Sequence, residues 1–333
     1  MKVFITGSSG FVGLALTEAL LAQGSSVVGY DLAPPQASAT GTFAALPGRL
    51  HFVQGDVTDA AALQSAIRES GSRYLVTLAA ITADARRERS SPGRIFAVNT
   101  GGAVTAIAAA AECGFKRVLH VSSGSVYGAS GQQAQLLDEQ ATPLRPEGLY
   151  GISKQAAEAA ALRLGQLHGI DVRVGRLGTC FGPWEFDSGV RDTLSAPLQV
   201  MRHMLCGAQA VLPRPGRRDW LYVRDAAAAL LALLQMDDAG SAERIFNVSA
   251  GFEWSVAEWC AVIARERPQF RWQLAAGGIA PNIDYYAPYD RASMDNRRLR
   301  AATRFTPRFG LEAAALDFQS WLDANESCGL QLS

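Results

Sequence analysis

Little in this sequence could staple a fold together or anchor it to a large partner. Its five cysteines, Cys113, Cys180, Cys206, Cys260 and Cys328, are scattered, odd in number and form no close pair. That excludes a disulfide framework or a zinc site and suits reduced thiols. The four histidines, His51, His120, His168 and His203, are equally dispersed and read as surface or loop residues rather than ligands. An excess of one charge is missing too: Lys plus Arg and Asp plus Glu number 31 each, for a net charge of zero. Without a basic field, nucleic acid is not expected as a partner. Lysine is scarce, with only Lys2, Lys116 and Lys154. No uninterrupted apolar run approaches the ~18 residues of a membrane span. Met1 to Gly7 reads as a strand entering a glycine turn, so no signal peptide is expected. The expectation is a soluble, cytoplasmic protein that engages no membrane.

What is present is an ordinary globular chain of 333 residues, 48% apolar and 19% charged. At roughly 150 residues per domain that length allows two units, enough to bury a core without staples. Strands read at Val3–Ile5, Val27–Tyr30, His51–Val53, Tyr74–Leu78, Arg117–Val121 and Val172–Val174. Helices read at Leu14–Gln23, closed by Gly24, from about Thr58–Asp59 with Thr58 as cap, at about 94–113 and at about 150–168. Residues 36–49, small, polar and punctuated by Gly and Pro, read as a loop. Continuously apolar strands alternating with helices indicate a doubly wound parallel α/β sheet of the Rossmann type. Residues 1–177 are thus expected to form the nucleotide-binding domain. Residues 178–333 are expected to form mainly a smaller substrate-binding lobe, with some elements returning to the first domain.

Directly after the first strand comes Gly7-Ser8-Ser9-Gly10-Phe11-Val12-Gly13. Gly7 allows a tight turn, Gly10 lets the backbone approach a pyrophosphate, and Gly13 lets helix and sheet pack closely. The helix start then offers free N–H groups to phosphates. Strand before and helix after favour a dinucleotide site over a merely structural turn. Asp31 closes the second strand, where a carboxylate accepts the adenosine ribose hydroxyls and repels a 2′-phosphate. No Arg follows Ser8 or Asp31, so NAD is expected rather than NADP. Asp56 either approaches the adenine amino group or serves a turn or helix cap.

Tyr150 and Lys154 lie four apart, on one face of a helix. A phenol with a reference pKa near 10 is a poor base at neutral pH, and a neighbouring ammonium favours its phenolate. Ser122-Ser123-Gly124-Ser125 ends the fifth strand, on the side where open parallel sheets bind ligands. A hydroxyl there could hold a substrate oxygen beside Tyr150; the alternative is a Ser-rich turn that satisfies its own backbone.

Taken in order, Thr6–Gly13, Asp31, Gly55-Asp56, Leu78-Ala79-Ala80, Val98-Asn99, Ser122–Gly128, Tyr150–Lys154, Arg176–Pro183 and Arg217–Asp225 resemble the extended short-chain dehydrogenase/reductases. That group is also called the NAD-dependent epimerase/dehydratase family. The resemblance implies Tyr150 as catalytic acid/base, Lys154 on the nicotinamide ribose and Ser123 orienting the substrate. It further implies NAD contacts at Gly7, Ser9, Gly10, Phe11, Val12 and Gly13, at Asp31, Asp56 and Val57, at Leu78, Ala79, Ala80 and Asn99, and at Tyr150 and Lys154 themselves. Substrate contacts fall to Ser123, Ser125, Thr179, Arg191 and Arg218.

Departures from the family pattern bear on the reaction. Dehydratases and decarboxylases look like Thr-Asp-Glu or Thr-Ser-Glu across Ser123-Gly124-Ser125, so a water-eliminating enzyme would lack its acid here. Members acting on nucleotide-sugars usually carry Asn at Thr179, although Arg218 matches their diphosphate-binding arginine. Thr77 stands where the family has His. Three readings follow: a nucleotide-sugar epimerase, a dehydrogenase of a free sugar, sugar acid or lactone, and a redox-silent NAD-binding regulator. Arg191, Arg217 and Arg218 are the candidates for an anionic handle, because a guanidinium binds phosphate or carboxylate bidentately. The Ala-rich helices at about 94–113 and 150–168 are expected to pair in a homodimer.

Overall fold

The computed structural model describes residues 1–187, 193–237, 243–285 and 287–326. Five strands, β1 (Lys2–Thr6), β2 (Ser26–Asp31), β3 (Arg49–Gln54), β4 (Tyr74–Thr77) and β5 (Arg117–Ser123), join the strands Asp171–Leu177 and Ile245–Val248 in one parallel sheet. The order is Ile245–Val248, Asp171–Leu177, β5, β4, β1, β2, β3. Every residue of β5 is buried, as expected of a central strand covered on both faces. The strand order reverses between β1 and β4, each of which feeds its carboxyl end into the crevice where such sheets bind ligands.

One face of the sheet is covered by α1 (Phe11–Ala22) and the helix Val223–Gln235, whose Leu14, Leu20, Ala226 and Leu230 share a core cluster with β1. The other face packs α3 (Ala60–Ser70), Ala103–Glu112 and Leu149–His168 through Leu63, Ile67, Ala106 and Ala161. A separate core of Phe181, Trp220, Trp254 and Trp259 builds the second lobe. The chain beyond residue 178 therefore supplies both that lobe and, through Val223–Gln235 and Ile245–Val248, an edge of the seven-stranded sheet and a helix that covers it.

Several local expectations change. Residues 36–49 are not all loop: Ala37–Ala44 is a helix, α2. Its small residues carry no helix signal, and burial of Ala39 and Phe43, with Phe43 6.0 Å from the Trp184 ring, stabilises it instead. Asp59, not Thr58, caps α3 by accepting from the Ala62 amide at 3.1 Å. The helix near 94–113 is interrupted by a π-helical turn over Ala97–Gly102. Among the described residues, Pro92–Glu112 is long and apolar enough to cross a membrane by length and composition, yet half of it is buried inside the fold. His120 is a buried core residue of β5 rather than a surface one. Cys328 lies outside the described residues.

Candidate active site

The glycine loop is built for close approach. Gly7 has φ +75°, and a Cβ there would lie 2.6 Å from the Ala79 amide nitrogen; one on Gly13 would lie 2.1 Å from the Gly7 carbonyl oxygen. The loop therefore nests against Leu78-Ala79 without room for a side chain. Gly10 caps α1 with no side-chain bond, and the first turn holds no acid, so its N–H groups and dipole face an anion unopposed. Ser8 and Ser9 hydroxyls are buried there with no partner. Asp31 reaches back to the loop: Oδ2 accepts from Ser9 N at 2.9 Å and Oδ1 from Leu32 N at 2.7 Å. Burial pushes its carboxyl up, and these two amides oppose that shift. An orphaned pair of hydroxyls, a side-chain-free cradle and a carboxylate at the end of β2 together fit an NAD pyrophosphate and adenosine ribose.

Asp56 organises the turn after β3. Its Oδ1 accepts from Thr58 N and Oγ1 at 2.9 and 2.8 Å, and its Oδ2 pairs with Arg94 at 2.7 Å. Burial disfavours its charge, but these bonds outweigh that and hold the carboxyl below its usual range. The turn role is thus occupied. Val57 is buried against Gly102, where a Cβ would lie 2.8 Å from Val57 Cβ. Asn99, in the π-helical turn, clasps the segment after β4: Oδ1 accepts from Ile81 N at 2.8 Å and Nδ2 donates to Ile81 O and Ser153 Oγ at 3.0 Å. Ala80 lies in the same half-buried segment.

Tyr150 and Lys154 occupy the start of the helix Leu149–His168. Gly151 lets that helix pass tightly over the serine turn, since a Cβ there would lie 2.7 Å from Ser125 O. Lys154 is buried, and its Nζ donates to Val121 O at 2.6 Å, two residues before Ser123. Burial lowers its pKa to about 8, with Glu158 resisting the shift. Ser123 Oγ accepts from Ser125 N and donates to Ser125 Oγ, both at 3.1 Å. The turn does satisfy itself, yet Ser125 keeps its own proton to donate. His120 Nδ1 meets Thr77 Oγ1 at 2.8 Å, and burial first, Lys154 second, lowers its pKa to about 3. The imidazole is therefore neutral at ordinary pH.

On the substrate side the fold brings Thr179 and Arg218 together: Arg218 Nη1 donates to Thr179 Oγ1 at 3.1 Å, and its guanidinium lies 5.7 Å from the Trp220 ring. Among the described residues no carboxylate comes within ion-pair distance of Arg218. Burial, then Arg291, lower its pKa to about 10, so it stays charged at neutral pH. Arg217 points elsewhere, half exposed near Glu253 and Glu258 at 3.9 and 3.5 Å. Arg191 lies outside the described residues. Arg291 was missed by sequence reasoning. Its side chain runs past Gly131 to Gly124, where an added Cβ would lie 2.5 Å from Nη1. Its Nη2 meets Asp219 Oδ1 at 3.4 Å.

Relatives and solved structures identify the family. The model of the NAD dependent epimerase/dehydratase family matches residues 3–249. The chain is 27% identical to a dTDP-glucose 4,6-dehydratase of Actinoplanes sp., covering 98% of this chain and 99% of that one. It is also 27% identical to a UDP-glucose 4-epimerase of Mycolicibacterium smegmatis, covering 93% and 95%. Among solved structures, MoeE5 in complex with UDP-glucuronic acid and NAD superposes with a TM-score of 0.77 at 25% identity, covering 98% of this chain and all of that one. A putative epimerase from Burkholderia cenocepacia gives 0.79 at 26%, covering 97% and 98%. NAD is the cofactor of the family and is bound in the MoeE5 complex. The chain belongs to the NAD dependent epimerase/dehydratase family, as an NAD-dependent enzyme of the extended short-chain dehydrogenase/reductase type.

Proposed function

We propose that this protein is a nucleotide-sugar epimerase working through Ser123, Tyr150 and Lys154. The relatives' substrates are nucleotide-sugars, and Arg218 with Thr179 forms a cationic, hydrogen-bonding pair suited to a pyrophosphate. NAD, held by Gly7–Gly13 and Asp31, supplies the acceptor and donor for the hydride. Tyr150 Oη takes the proton of the sugar carbinol as it becomes a ketone and returns it on reduction. Lys154 keeps an ammonium near the phenol, which favours the phenolate. Ser123 and Ser125 hold the carbinol oxygen, and Arg218 fixes the pyrophosphate while the keto sugar turns its other face.

The observation that carries epimerisation over dehydration is the turn Ser123-Gly124-Ser125, which has no carboxyl to carry the extra proton of water elimination. A net dehydrogenase would use the same residues. Purified protein with NAD and a panel of nucleotide-sugars and free sugars separates the two: stoichiometric reduced cofactor marks a dehydrogenase, and substrate conversion without it marks an epimerase. We also propose that the chain is a homodimer paired through the helices at 94–113 and 150–168; a monomer by light scattering would contradict this.

A further inference from the structure

Resting on that reading of the site, we propose that Arg291 recognises a carboxylate on the sugar ring, so that the preferred substrate is a nucleotide-hexuronate rather than a neutral nucleotide-hexose. The side chain is threaded through a slot made by two glycines. A Cβ on Gly131 would lie 2.5 Å from Arg291 Cγ, and one on Gly124 would lie 2.5 Å from Nη1 and from Met294 Sδ. Backbone bonds sew the arginine's segment to residues 130–137, which follow the serine turn: Ala292 N donates to Gly131 O and Asp295 N to Leu137 O, both at 2.9 Å. Ser293–Met294 adds as a parallel strand to Leu136–Leu137. The guanidinium is therefore held in place beside the residue that separates Ser123 from Ser125, at the sugar end of the site.

Charge count and geometry both leave this group short of an anion. Asp219 is the carboxylate beside it, fully buried, and it already accepts from Met294 N at 2.9 Å. Arg291 reaches it only from Nη2 at 3.4 Å, while Arg218 interacts with the same carboxylate. With Arg214 and Asp290 beside them, three guanidinium groups thus face two acids. Among the described residues the hydrogen bonds of Arg291 all leave from Nη2, and its Nε is buried without an acceptor. Arg218 stands at Thr179, where the proposed function puts the pyrophosphate, whereas Arg291 stands at Gly124, between the two serines proposed to hold the carbinol oxygen. A carboxylate on the ring would supply the missing charge, with Nη1 facing it.

The test compares UDP-glucuronate with UDP-glucose, which share nucleotide and pyrophosphate and differ in the ring carboxylate. Wild type should favour UDP-glucuronate in kcat/KM by on the order of tenfold or more. Arg291→Gln should lower kcat/KM for UDP-glucuronate by on the order of 10²-fold while changing UDP-glucose by no more than about threefold. Arg291→Lys should restore part of the preference, and affinity for UDP alone should not move. Arg218→Gln, by contrast, should weaken both substrates and UDP alike. The wild-type comparison and substrate binding by calorimetry need no variant, and NAD binding by each variant reports that it is folded. Lack of any wild-type preference overturns the proposal and leaves the nucleotide-sugar reading standing. So does an equal loss on both substrates with weakened UDP, which would assign Arg291 to the pyrophosphate. Failure of UDP, of dTDP and of the UDP- and dTDP-sugars to bind would overturn the nucleotide-sugar reading and this proposal together.

Discussion

Glu158 and Arg176 form a buried two-pronged ion pair, with Nη2 to Oε1 at 2.5 Å and Nε to Oε2 at 3.1 Å, that ties the helix of Tyr150 to the strand beside β5. Arg176 continues to Tyr127 Oη at 3.0 Å, and Tyr127 donates to Asn247 Oδ1 at 2.8 Å. Glu158 lies one turn beyond Lys154, so the same carboxylate that positions the helix also steadies the lysine's charge.

A pH dependence follows. Burial brings Lys154 down from 10.5 to about 8, so kcat should fall as pH rises through about 8 and the ammonium is lost. Glu158→Gln removes the charge that favours the ammonium and should move this limb to lower pH. An alkaline limb that stays in place in Glu158→Gln would disprove the link. The stability effect has the opposite sense: between about 8 and 10.5 the folded chain binds fewer protons at Lys154 than the unfolded one, so rising pH stabilises it there.

Tyr150→Phe should lower kcat by roughly 10²–10⁴-fold, the contribution of a positioned acid/base group. NAD affinity should stay nearly unchanged, since the phenol does not hold the adenine half. Steady-state rates and cofactor titration check both, and near-normal turnover would remove Tyr150 from the chemistry.

Asp31 should set cofactor choice. Its carboxylate is held toward the glycine loop by the Ser9 and Leu32 amides, where a 2′-phosphate would meet like charge, at a cost on the order of 10²-fold in affinity. Asp31→Ala should weaken NAD and narrow the gap to NADP. Equal binding of the two cofactors by wild type, measured by calorimetry, would contradict this.

Away from the site, Asp171 carries a structural load. It accepts from Arg117 Nε at 2.6 Å and Arg173 Nε at 2.7 Å, and both arginines are 1% exposed. Asp171→Ala leaves two buried guanidinium groups without their carboxylate and should destabilise the fold by about 3–5 kcal/mol. Urea unfolding measures it; a loss below about 1 kcal/mol, the value of an exposed pair, would contradict the burial argument.

What could be read from the sequence was what is local. The glycine loop, the Tyr150–Lys154 spacing and the apolar strands each depend on residues within a few positions, and they fold as their patterns predict. Helix α2 was illegible because its stability comes from Phe43 meeting Trp184, far along the chain. His120 was misread, although its place inside the apolar run Val118–Val121 was a signal of burial. Arg217 and Arg218 looked equivalent until the strand sent one to the surface and the other to Thr179. Arg291 carried no motif; only the pairing of Ser293–Met294 with Leu136–Leu137 brings it to Gly124.

The central claim, epimerisation by hydride return within one site, is tested most directly by incubating the purified protein with UDP-glucuronate and NAD in deuterated water and following the sugar by proton NMR. The account predicts an epimer that keeps its carbon-bound hydrogen at the inverted centre, with no net reduced cofactor. Stoichiometric reduced cofactor, or a pentose nucleotide that has lost the carboxylate as carbon dioxide and taken deuterium at C5, would contradict it.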